Sequence, residues 1–243
     1  MATVDLHRAE ETVPVADRPA PRIVEGEELH PTYVWDLVVR LTHWTIFLAM
    51  GVLAVTGVYL GRPVNGGGTF TMGWMKVVHA YAAIAFSLAV GSRIVWMFMG
   101  PRRSGWRQFI PFSKRRRREL RETLEFYTFF RARPPRTRGH NPLAGASYLV
   151  VFGLYLVMIL TGFALYSVSA HSYMRFWQFL LPLFHGVQAT RWIHHVTMWL
   201  LIGFFVHHLY SALLTARVEK NGTLDSMFSG YKFLPKDMPD DDD

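Results

Sequence analysis

Four stretches of this chain, residues 37–60, 74–99, 145–168 and 191–214, are each apolar for long enough to cross a membrane as a helix. A hydrocarbon core of about 30 Å needs about 20 residues at the helical rise. No water is available there, so each backbone N–H and C=O must be paired within its own segment. Four such blocks point to an all-α membrane protein, a four-transmembrane-helix bundle. A soluble helical protein would carry apolar stripes and polar faces, and GLYLVMILTGFALY (153–166) has neither. The folded domain is expected over residues 32–216. A disordered N-terminal tail (1–31) precedes it, and a cytoplasmic tail (217–243) follows, closing on KDMPDDDD.

The net charge of +8, from 26 Lys and Arg against 18 Asp and Glu, would suit a nucleic-acid partner if it were spread over a surface. Its location argues otherwise. About half of the basic residues lie between the second and third blocks, whereas the loop after the first has only Arg62 and that after the third has Arg175 and Arg191. The positive-inside rule puts the long basic loop in the cytoplasm, and an even span count puts both termini there too. SKRRRRELRETL (113–124) reads as a basic helix drawn to anionic membrane lipids, and no nucleic acid is expected. The chain has no cysteine, which excludes disulfides, thiolate-held iron–sulfur clusters and covalently attached c-type haem.

Imidazoles are costly in hydrocarbon, and an ionisable residue at membrane depth is a functional candidate. His43 lies in the first block, His79 in the second, and His194, His195, His207 and His208 in WIHHVTMWLLIGFFVHHLY (192–210). At about 100° per residue, His194 and His208 are fourteen steps apart, four turns less ~40°, and project from one face ~21 Å apart along the axis. The other combinations of one histidine from each pair diverge by about 120–140°. Two stacked axial ligands on one helix fit two haems, one above the other. Depth then pairs His79 with His194 on the outer side and His43 with His208 on the inner side. Without attachment cysteines, the cofactors would be two haem b. The alternative is hydrogen bonding between helices with no metal. Fourteen residues beyond His43 and His79 come Gly57 and Arg93. Gly57 would leave room for a flat macrocycle or serve helix packing. Arg93 would pair with a haem propionate or snorkel to headgroups. His195 and His207 are not expected to be ligands.

These residues carry a resemblance. VRLTHW (39–44), MGWMKVVHA (72–80), GHNPLA (139–144), MILTGFALY (158–166), HHVTMW (194–199), FVHHLYSAL (205–213) and SMFSGYKF (226–233) together resemble the b-type cytochrome subunit of membrane-bound uptake nickel–iron hydrogenases. The likeness runs from about residue 32 to 233. It implies the same iron ligands, His43, His79, His194 and His208. Arg191 and Ile193 stand where that family usually has a histidine and a tryptophan. The loop before the fourth block also differs, with its own His171 and His185.

The resemblance implies a multi-pass protein of the bacterial cytoplasmic (inner) membrane. Its partners would be the small and large subunits of a periplasmic nickel–iron hydrogenase. Electrons from H2 would enter at the outer haem, cross to the inner one and reduce a quinone. The chain itself, lacking thiolates, would not be catalytic on hydrogen. His140 and Asn141, at the cytoplasmic start of the third block, are candidates for the quinone site, although Asn before Pro142 is also a common helix start. Tyr231 and Arg93 are further candidates. Two other readings remain: a di-haem cytochrome b of another respiratory dehydrogenase, such as formate dehydrogenase, and a haem-free membrane anchor.

Overall fold

A computed structural model describes residues 19–24, 26–63, 68–101, 104–106, 109, 114–128, 130–131, 142–169 and 172–236. Along the chain come strands β1 (Arg22–Val24) and β2 (Glu27–Tyr33), then helices α1 (Leu37–Gly61), α2 (Thr69–Met99), α3 (Lys114–Tyr127) and α4 (Pro142–Ser169). A 3-10 segment (Ser172–Phe179) leads into the short α5 (Leu180–Leu183). Helices α6 (Val187–Glu219) and α7 (Thr223–Ser229) and strand β3 (Tyr231–Pro235) follow.

The four expected spans are α1, α2, α4 and α6, all long and apolar enough to cross a membrane. Only 17–22 % of the residues in their most apolar windows are buried, so large side chains such as Leu48, Val55, Leu88 and Val206 face outward. Apolar surface on that scale suits a lipid solvent. The helices overrun the apolar blocks: α6 has 33 residues, about 50 Å at the helical rise against a ~30 Å hydrocarbon core. Hydropathy marks only the lipid-matched part, whereas backbone hydrogen bonding carries the helix on into polar sequence.

The described residues belong to two compact units. One comprises Thr42–Ser92 and Val150–His208. Its interior is built from small and aromatic residues: Val90, Thr161, Ala164 and Thr190 are fully buried. Phe86 meets Tyr155 edge-on at 5.0 Å, and Phe47 stacks on Phe205 at 5.1 Å. Small residues let helix backbones approach closely, which drives packing where no water is expelled.

The other unit comprises Met1–Leu41, Arg93–Leu149 and Leu209–Asp243. It contains a three-stranded antiparallel sheet in the order β1-β2-β3. Leu29 pairs with Pro235 and Tyr33 with Tyr231, so part of the expected N-terminal tail is a strand bonded to part of the expected C-terminal one. Gly230, at φ +88°, makes the turn into β3, and its carbonyl accepts from the N–H groups of Val34 and Trp35 at 2.8 and 3.2 Å. A Cβ there would lie 2.5 Å from the Tyr33 ring and 2.9 Å from the Trp35 carbonyl oxygen. Val34, Trp35 and Val39 form a small core with Trp96 and Met227 against it, and the Trp35 indole donates to Ser226 Oγ at 3.1 Å. The basic segment is helical, as expected, in α3. Arg118 and Arg121 each donate to a glutamate one turn on, Glu122 and Glu125, at 2.8 Å, and Arg131 also pairs with Glu122.

Candidate functional site

Two of the span histidines are held in the same way. On α1, the Thr56 hydroxyl donates to the Val52 carbonyl at 2.7 Å and lies 2.8 Å from His79 Nδ1 of α2. On α4, the Thr161 hydroxyl donates to the Val157 carbonyl at 2.7 Å and lies 2.9 Å from His194 Nδ1 of α6. A hydroxyl has one proton. Once it is given to the helix carbonyl, the oxygen can only accept from the imidazole. That arrangement favours the Nδ1–H tautomer in each ring and leaves the lone pair on Nε2, the atom available to a metal.

The other two candidates come together directly. His43 of α1 and His208 of α6 have ring centroids 6.3 Å apart. Two imidazole–metal bonds of about 2 Å on opposite sides of one ion hold the rings roughly 6 Å apart. Phe204 stacks on His208 at 5.5 Å, and Trp44 meets His43 edge-on at 5.5 Å. His43 Nδ1 is buried and has no hydrogen-bond partner among the described residues.

The donor chemistry is selective about what could bind. Among the described residues no three His, Cys, Asp or Glu side chains converge on one point. Metal sites made of protein alone generally use three or four ligands. Paired imidazoles suffice when a macrocycle supplies the other four donors, as in haem. Among the described residues, the paired imidazoles fit haem.

Gly57 lies beside the His79 ring. A Cβ there would be 3.5 Å from His79 Cε1 and 3.1 Å from Met198 Sδ. Arg93 is buried, and its Nη1 donates to the Ser104 carbonyl at 3.2 Å. The Ser104 hydroxyl donates in turn to Asp36, whose carboxylate also accepts from the Trp96 indole at 3.0 Å and caps α1 through the Val39 N–H. His195 Nδ1 donates to the Arg191 carbonyl of its own helix at 2.8 Å, and its Nε2 lies against Gly61. His207 is exposed. His140 and Asn141 lie outside the described residues.

Sequence reasoning passed over Thr56, Thr161 and Gly162. A signal for them exists: Thr-Gly occurs in both AVTGVYL and MILTGFALY, in the second half of each span.

Residues 34–230 match the family described as prokaryotic cytochrome b561. The chain is 35 % identical to the probable Ni/Fe-hydrogenase B-type cytochrome subunit of Cupriavidus necator over 222 residues, covering 86 % of this chain and 90 % of that one. It is 32 % identical over 212 residues to the probable Ni/Fe-hydrogenase 1 B-type cytochrome subunit of Escherichia coli K12, covering 82 % and 90 %. The probable Ni/Fe-hydrogenase B-type cytochrome subunit of Rhizobium leguminosarum bv. viciae is 30 % identical over 237 residues, covering 93 % and 97 %.

Proposed function

The chain belongs to the prokaryotic cytochrome b561 family, and from that premise we propose that it is the membrane-anchoring di-haem cytochrome b of a nickel–iron hydrogenase, carrying electrons from hydrogenase to the quinone pool. Its relatives bear the name of the B-type cytochrome subunit of such enzymes along nearly their whole length. The observation that carries the di-haem reading is the geometry of the four histidines. His43 and His208 stand 6.3 Å apart between centroids, and His79 and His194 are each fixed through Nδ1, all within one compact unit.

In this reading His79 and His194 hold one haem b and His43 and His208 the other. Bound there, haem would supply a one-electron centre and the further nitrogen donors that the protein lacks. The apolar spans keep water from the ligands. Gly57 leaves the His79 side uncrowded, and Arg93 offers guanidinium donors to a propionate. His140 and Asn141 are proposed to hydrogen-bond a quinone and supply a proton. The basic segment 100–142 lies on the cytoplasmic side, where α3 faces anionic lipid, and the hydrogenase small and large subunits dock on the opposite, periplasmic side of the inner membrane.

Pyridine haemochrome analysis of the purified complex, with nickel and iron quantified alongside, tests this proposal. Two haem b per chain and co-purifying nickel are expected. A chain without haem would reduce the protein to an anchor, and molybdenum in place of nickel would reassign it to another dehydrogenase.

A further inference from the structure

The Thr-Gly pair occurs twice in equivalent surroundings. Thr56–Gly57 of α1 meets an imidazole from α2, and Thr161–Gly162 of α4 meets one from α6, so each pair serves the span that follows its own. The parallel extends to atoms. Both hydroxyls donate to the carbonyl four residues back at 2.7 Å and lie 2.8 or 2.9 Å from Nδ1. Both glycines bring the helix backbone up against the ring edge, since a Cβ would be in van der Waals contact with it, 3.5 Å from His79 Cε1 and 3.4 Å from His194 Cε1. Thr56 is 4 % exposed and Thr161 is 0 % exposed, so water is poorly placed to replace either hydroxyl. His43 is treated differently, its Nδ1 having no partner among the described residues.

We infer that Thr56 and Thr161 are positioning residues that lock His79 and His194 as Nδ1–H tautomers, presenting both Nε2 lone pairs to the same iron and tuning that haem separately from the other. The inference rests on the di-haem reading above. An imidazole that donates from Nδ1 is a more basic ligand, and an outer-shell partner of this kind is worth roughly 10- to 100-fold in metal affinity. A stronger donor favours ferric iron, so each hydroxyl lowers the reduction potential of that one haem.

The test compares Thr56→Val and Thr161→Val with the wild type and with Thr56→Ser and Thr161→Ser, each purified as the intact complex. Valine keeps the shape and removes the acceptor, whereas serine keeps the hydroxyl. Haem content, potentiometric titration of the b-band and low-temperature EPR of the low-spin ferric signals are read together. Both valine variants should move the midpoint of the same single haem to more positive potential, or lose that haem, and both serine variants should stay close to wild type. The inference is overturned if both midpoints and both EPR signals remain unchanged in the valine variants. It is equally overturned if the two variants act on different haems, or if serine behaves like valine. His79→Ala and His194→Ala run in parallel separate the two levels. If either retains two haems, the ligand assignment itself fails; if each loses one and the valine variants are silent, only the role of the threonines does.

Discussion

A buried imidazole cannot pick its tautomer or its rotamer; its neighbours do that. For this reason the proposed ligands are open to tests that separate loss of one centre from general damage. His79→Ala and His194→Ala should each reduce haem content from two to one per chain, with identical remaining spectra. His43→Ala and His208→Ala should leave the complementary spectrum. Optical difference spectra of the four variants check this, and four distinct residual spectra would refute the pairing. Residues away from the histidines predict stability. Asp36→Ala removes the cap of α1, about 1 kcal/mol, and strips the Trp96 and Ser104 donors of their acceptor, about 1–3 kcal/mol where they remain buried. Gly230→Ala must hold a φ of +88° with its new methyl against the Trp35 carbonyl, a strain of about 1–3 kcal/mol. Thermal unfolding in detergent should show both variants clearly below wild type. The shared face of His194 and His208 could be read from spacing alone. Their neighbours could not, because Thr161 is 33 residues from His194 and nothing local to α6 announces it.

Individual elements were legible in proportion to how strongly composition marks them. The spans were, since a hydrocarbon solvent tolerates little else; the first matches its expected ends to a residue, but the fourth overruns both of its own. The chain stays helical into polar sequence at Val187 and on to Glu219. The strands gave almost no signal: β1 has three residues and β3 five, too short for alternation to stand out. β1 pairs with the β2 segment just after it, whereas β3 gains its hydrogen bonds from β2 at the other end of the chain. Helix α3 makes its own prediction. Glu122 is held below its ordinary value of 4.5, first by the hydrogen bond from Arg118 and then by the charge of Arg131. A carboxylate with a depressed value in the folded state stabilises above its ordinary value and loses that contribution as acid protonates it. Amide protection of α3, referred to the intrinsic exchange rate at each pH, should therefore fall as pH drops below about 4.5, and Glu122→Gln should remove most of that pH dependence. Both partners are near the surface, so the effect should be modest and weaken with salt.

For the whole molecule, the charge asymmetry between loops predicts orientation. A reporter active only outside the cytoplasm, fused after residue 120, should be silent; activity would invert the proposed topology. Length, the absence of cysteine, four apolar blocks and the periodic placement of His194 and His208 were sufficient to establish a helical membrane chain and to nominate its ligands. These properties belong to a single segment and its solvent, so they are written in consecutive residues. Folding alone decided which hydroxyl meets which imidazole, that Arg93 joins Ser104 beside Asp36, and that residues 27–33 pair with 231–235. Such contacts join residues far apart in the chain, and their strength comes from excluding water around groups that only packing brings together.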